Sequence, residues 1–132
     1  MTIVFIAKDF SRFGPLVYRL RRERHVELIP VVTGAAGLGQ LRGKPIDLVI
    51  VDEQLEDMSG IEFVRRLITV NPLANTAIVG AFTEENFHEA TEGMGVLMQL
   101  PRQPTELDAE TLLVLLAKIS GLMQPLTVQA TP

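Results

Sequence analysis

Residues 46–60 read Ile46-Asp47-Leu48-Val49-Ile50-Val51-Asp52, then Glu53-Gln54-Leu55-Glu56-Asp57-Met58-Ser59-Gly60. Residues 46–51 are apolar apart from Asp47 and rich in β-branched side chains. A continuous apolar run of this length suits a strand buried on both faces, as in a parallel sheet. The run ends abruptly in two acids, passes through a polar turn, and meets a new pattern at Gly60. Over residues 60–71, Ile61, Val64, Leu67 and Ile68 fall on one helical stripe, with Glu62, Arg65 and Arg66 outside it. Asn71-Pro72 ends that helix.

The same alternation extends in both directions. Further apolar runs occupy 2–7, 26–32, 76–82 and 96–100. Pro30 fits poorly inside a central strand and predicts an edge position or an early end. Helical patterns are expected over 12–24, 34–43, 84–92 and 106–120, the last stopped by Gly121 and Pro125. Pro15 suits a first helical turn. Gly34, Gly37, Gly39 and Gly43 predict a weak, partly irregular and flexible second helix. Strand and helix thus alternate five times, which implies an α/β fold: a parallel sheet with helices on both faces. A single domain is expected over 1–122, with 123–132 (MQPLTVQATP) as a flexible tail or the start of a linker.

Composition excludes several classes. The 132 residues carry a net charge of −4, so no overall basic field favours nucleic acid or anionic membrane. There is no cysteine, hence no disulfide, thiolate metal site or thiol chemistry. No secretory pattern opens the chain and no apolar run is long enough to span a bilayer, so a cytoplasmic protein is expected. The glycine-rich stretch 34–39 lacks the dinucleotide order, and His25 and His88 have no companions at metal-ligand spacing.

In an open parallel sheet, ligands bind outside the carboxyl ends of the strands. Those ends are Lys8-Asp9, Asp52-Glu53, Gly80 to Thr83, and Leu100-Pro101-Arg102. Asp9 and Asp52 would be neighbours if the first and third strands are adjacent. Two close carboxylates repel unless a cation lies between them, and carboxylates with carbonyls and waters suit Mg²⁺. A carboxylate beside such an ion can attack a phosphoryl group. Against this, Asp after a strand commonly serves as a cap or turn residue.

The run Asp47 to Asp52, followed by Asp57-Met58-Ser59-Gly60-Ile61-Glu62, resembles the receiver domain of two-component response regulators, with Asp9-Phe10-Ser11 similar to the family's acidic motif. The similarity covers about residues 2–121 and implies a flavodoxin-like, doubly wound, five-stranded (βα)5 three-layer sandwich. It implies Asp52 as phosphoacceptor in a phosphorelay. It also implies a Mg²⁺ site made by Asp9, Asp52 and the backbone carbonyl of Gln54. The expected partner is a histidine kinase or phosphotransfer protein. No enzymatic activity is expected beyond phosphotransfer to Asp52.

Several positions depart from the family. Lys8 stands where a second acid is usual, Glu56 in place of a proline, and Gly80 where a Thr or Ser contacts the phosphoryl group. Gln99 replaces an aromatic switch residue, and Arg102 replaces a lysine. Thr83 could partly supply the missing hydroxyl. Lys8 would pair with Asp52 and weaken Mg²⁺ binding. Arg102 keeps the charge but not the point-like shape of an ammonium. These departures support a second reading, a phosphorylation-independent pseudo-receiver used for protein–protein interaction. A third, an unrelated doubly wound enzyme or flavin binder, lacks a nucleophile–base pair or cofactor loop.

Two surfaces are candidates for partners. Residues 112–116 (LLVLL) are all apolar; Leu112, Leu115, Leu116 and Ile119 share the core stripe, while Leu113, Val114 and Ala117 point partly away. In the family, the face of fourth helix, fifth strand and fifth helix often mediates association, so a homodimer there is expected. Arg19, Arg21, Arg22, Arg24 and His25 form a basic cluster on the first helix, the element that contacts kinases in the family; a solvated helix face is the alternative.

Overall fold

Five short strands form one parallel sheet in a computed structural model that describes residues 1–123, with side chains through Ile119. They are β1 (Thr2–Ile6), β2 (Glu27–Val31), β3 (Leu48–Asp52), β4 (Asn75–Val79) and β5 (Val96–Leu100), in the order β2-β1-β3-β4-β5. Between them run a 3₁₀ turn (Ser11–Phe13) and the helices α1 (Gly14–Arg21), α2 (Gly34–Leu41), α3 (Gly60–Val70), α4 (Glu84–Thr91) and α5 (Glu106–Met123).

The unbroken apolar runs are explained by the two cores. Alternate residues of a strand point to opposite faces. Ile3, Phe5, Leu48, Ile50, Ala77 and Val79 pack with Leu16 and Leu20 of α1 and Leu112 and Leu116 of α5. Val4, Ile6, Val49, Val51 and Ile78 pack with Leu41 of α2 and Phe63, Val64 and Leu67 of α3. Every residue of β3 is buried, as a central strand requires. This is the expected doubly wound α/β architecture.

Pro30 lies in β2, opposite Phe5 of β1, and β2 is an edge strand. An edge tolerates proline because one side of its ladder has no partner. The second helix differs from expectation. It is a regular α-helix whose glycines are contact points. A Cβ at Gly34 would lie 2.7 Å from the Met58 side chain, and one at Gly37 would lie 2.9 Å from Ile6 and 3.1 Å from Phe63. Close packing and two sets of caps offset the low glycine propensity. Thr33 Oγ1 accepts from the Ala36 N–H, and Asp57 accepts from the N–H groups of Gly34 and Ala35. Those two N–H bonds hold the Asp57 carboxyl below its ordinary pKa.

Helix α3 opens with Ser59 accepting from the Glu62 N–H at 3.1 Å. Gly60 has no room for a side chain: a Cβ there would lie 2.3 Å from the Asp52 carbonyl oxygen. Helix α5 continues past Gly121 to Met123 rather than stopping at 120. The expected tail lies, from residue 124 on, outside the described residues.

Helices α1 and α5 are joined by ion pairs. Arg19 bonds to Glu23 at 2.7 Å and to Glu110 at 3.1 Å, and Arg22 reaches Glu106 at 3.3 Å. Both acids raise the Arg19 pKa further. Two of the arginines expected on a solvated or kinase-facing surface therefore brace the helix pair. On α5, Ala109, Leu112 and Leu116 are buried, Leu113 leans on the core, and Val114 and Ala117 are exposed. Leu115 and Ile119, expected in the core stripe, are half-buried.

Candidate functional site

The register of the sheet places Ile6 of β1 beside Val51 of β3 and Val79 of β4 beside Asp52. Asp52 thus ends the central strand, and the loops after β1, β3, β4 and β5 surround it. A cleft of about 710 Å³ opens there, lined by Lys8, Arg12, Asp52, Glu53, Gln54 and the segment Pro101 to Gln103.

Asp52 is 3% exposed, an unusual burial for a carboxylate, and both of its oxygens are engaged. Oδ1 accepts from the backbone N–H of Glu53 at 2.9 Å, and Oδ2 accepts from Arg12 Nη2 at 2.7 Å. A buried carboxylate is tolerated when a cation and hydrogen bonds replace its water. Arg12 is held from two further directions. Its Nε donates to the Arg102 carbonyl at 2.9 Å, and its guanidinium lies 4.4 Å from the centre of the Phe13 ring.

The cation expected against Asp52 was Lys8. Lys8 lines the cleft, but the ion pair is made by Arg12. The sequence reading missed Arg12 because it lies in the 3₁₀ turn, outside every strand end. The available signal was its position three residues after Asp9, close enough to the sheet rim for a long side chain.

Asp9 faces its own loop. Its carboxylate accepts from the Ser11 N–H and Ser11 hydroxyl, each at 3.0 Å. These bonds, with a smaller contribution from the Arg12 charge, lower its pKa. It is exposed and is not among the residues lining the cleft. Arg102 pairs with Glu53 at 2.6 Å rather than with Asp52. Glu53 was another residue missed.

Gly80, buried just beyond β4, leaves space that Glu53 and Gln99 use. A Cβ at Gly80 would be 3.0 Å from Glu53 Oε2 and 3.2 Å from Gln99 Oε1. Gln99 forms a two-point amide bond with the backbone of Phe82: Oε1 accepts from its N–H at 2.8 Å, and Nε2 donates to its carbonyl at 3.1 Å. The loop after β4 is thereby pinned to β5. The Thr83 hydroxyl accepts from the Asn86 N–H as the α4 cap and does not line the cleft.

The donor set does not fit a divalent cation in this arrangement. Among the described residues no three acidic or histidine side chains gather at one point. The guanidinium sits on the one buried carboxylate, and Asp9 is turned into its Ser11 turn. What the cleft does chemically is neutralise an internal carboxylate with a tethered cation.

No family model and no curated protein matches the chain. Solved structures do. A CheY-like response regulator receiver domain from Methanospirillum hungatei is 19% identical, with a TM-score of 0.75 over 89% of this chain and 94% of that one. A response regulator receiver domain protein from Clostridium thermocellum is 17% identical, with a TM-score of 0.77 over 93% and 98%. A Burkholderia pseudomallei response regulator, solved with a phosphorylated aspartic acid, calcium ion and citrate, is 17% identical, with a TM-score of 0.71 over 99% and 75%. Among the described residues no helix is long and apolar enough to cross a membrane. The chain therefore has the flavodoxin-like fold of CheY-like response-regulator receiver domains.

Proposed function

We propose that this chain is a phosphorylation-independent receiver module, a protein–protein interaction domain of a signalling system with no reaction of its own. The observation that carries this reading is the double engagement of Asp52, through Arg12 on Oδ2 and the Glu53 N–H on Oδ1. A nucleophilic carboxylate needs a free oxygen and a charge-neutralised approach for the phosphoryl group. Here Arg12 covers that oxygen. Gly80 brings no hydroxyl to the cleft, and Gln99 holds the loop that an aromatic residue would otherwise report on. Mg²⁺ binding is weak in this reading, opposed by Arg12 and Lys8 together.

A second reading is favoured by position. Asp52 ends the central strand inside a cleft that also holds Lys8, Arg12 and Arg102, where an incoming phosphoryl group would meet positive charge. As phosphoacceptor in a histidine-to-aspartate relay, Asp52 would form an acyl phosphate and the donor histidine would leave. A kinase or phosphotransfer protein would be the partner. A Mg²⁺ site of Asp9, Asp52 and the Gln54 carbonyl would require Asp9 to leave Ser11 and Arg12 to leave Asp52.

In either reading the fourth helix, fifth strand and fifth helix form the face for self-association. Exposed Val114 and half-buried Leu97 and Met98 support this. Incubation with acetyl phosphate and Mg²⁺, followed by intact mass, tests the choice. The expected result is no adduct under conditions that label an ordinary receiver domain. A phosphoryl adduct that disappears in Asp52→Asn overturns the first reading and establishes the second.

A further inference from the structure

A second opening lies away from the Asp52 cleft, between α1 and the edge of the sheet, with a volume of about 580 Å³. Its walls are mostly carbon. Phe5 of β1 is fully buried below it, Val17 of α1 and Leu28 of β2 are half-buried beside it, and Tyr18 stands 60% exposed at its rim. Arg21 and Arg22 close one side. This is the size and character of a small-molecule pocket, apolar walls with a few polar groups that fix orientation.

Gly14 is one of the residues that line the groove. That residue has helical backbone angles (φ −50, ψ −54) that any amino acid adopts, and a Cβ there would meet nothing within 4 Å. Neither backbone strain nor crowding demands glycine, yet a larger side chain at this position would grow into the groove. The arginines define the charge of an occupant. Arg21 is exposed, and the Arg22 guanidinium sits 5.7 Å from the Tyr18 ring centre. The Arg22 bond to Glu106 is long at 3.3 Å and exposed, so an arriving carboxylate can compete for it. Strand addition along β2 is disfavoured by Pro30, which leaves the groove itself as the binding feature.

We infer that the α1–β2 groove is a binding site for a small amphipathic carboxylate, an apolar chain or ring carrying one carboxyl group. The apolar body lies over Phe5 between Val17 and Leu28, and the carboxylate faces Arg21 and Arg22. This site is separate from the Asp52 cleft and stands whichever reading of that cleft holds.

The test titrates the full chain with octanoate and with 1-octanol, followed by amide NMR. Octanoate should give saturable shifts concentrated at Gly14, Val17, Tyr18 and Leu28, with 1-octanol at least about five-fold weaker. Gly14→Leu should abolish the shifts while leaving the rest of the spectrum in place. Arg21→Gln, at an exposed position outside the ion pairs that join α1 and α5, and Arg22→Gln, checked for an unchanged melt because it gives up the Glu106 contact, should each weaken octanoate but not 1-octanol. Shifts that do not saturate, equal affinity for the alcohol, or octanoate binding unchanged in both arginine variants would overturn the assignment.

Discussion

Arg12 Nη2 lies 2.7 Å from Asp52 Oδ2, so a charge from the first loop neutralises the carboxylate at the end of the central strand. The two residues are 40 positions apart in sequence, and the contact crosses from β1 to β3. The partners are unequal: the Asp52 side chain is 4% exposed and that of Arg12 is 32%. Removing the cation therefore strands a buried charge, whereas removing the carboxylate strands a guanidinium that still reaches water.

That asymmetry predicts unequal variants. Arg12→Ala should destabilise by about 2 kcal/mol in urea unfolding, below the range for a fully buried pair because Arg12 is partly solvated. Asp52→Asn should cost less, about 1 kcal/mol, since an amide still accepts from the Glu53 N–H. The double variant should lose less than the sum. Strict additivity would show that the pair contributes no coupling.

Gly60→Ala should be among the most damaging single substitutions. Its Cβ would meet the Asp52 carbonyl oxygen at 2.3 Å and the Glu53 Cα at 3.0 Å, and neither is a flexible side-chain end. The expected loss is about 3 kcal/mol or more, with the loop after β3 displaced. A thermal melt close to that of the parent would contradict it.

Gln99→Leu should release the loop after β4. Both amide bonds to Phe82 vanish, at a cost of about 1 kcal/mol each where the backbone groups stay dry. Hydrogen exchange at the Phe82 amide should accelerate while the amides of β3 stay protected. Unchanged exchange at Phe82 would mean that something other than Gln99 holds the loop.

Asp57 gives a pH dependence. The N–H groups of Gly34 and Ala35 favour its ionised form, so its folded pKa lies below the unfolded value. As pH falls, the unfolded chain binds the proton first. The stabilisation is complete above the ordinary carboxylate range and is lost as pH drops through the lowered folded value. Asp57→Ala should cost about 1 kcal/mol or less at neutral pH, because solvent screens this exposed carboxylate, and progressively less in acid. A stability difference that does not shrink between neutral and strongly acidic pH would remove Asp57 from this role.

The fold was legible because β1 and β3 carry nearly unbroken apolar runs and the apolar runs alternate with helical patterns five times, a combination that suits a parallel sheet with two covered faces. Pro30 marked an edge for the same kind of reason: a missing N–H is compatible with few places. The second helix was misjudged because propensity counts the entropy of glycine and not what its small size permits. Gly34 and Gly37 are where Met58, Ile6 and Phe63 come close, and residues this far apart in sequence leave no local signature of their contact. The site was readable as a location, the rim at Asp52, but not as a set of partners. Whether Lys8 or Arg12 meets Asp52, and whether Arg102 turns to Glu53, depends on side-chain directions set by packing. Residue type and spacing do not encode those directions.

Pro30 has one more effect, on crowding between molecules. A strand at the margin of a sheet ordinarily offers a row of hydrogen-bonding groups to any neighbour able to lengthen the sheet. On the β2 flank that row is broken by a ring. Copies of this chain that meet side by side are thus steered away from zipping their sheets together there, so concentrated solutions should resist fibril-like stacking through that flank.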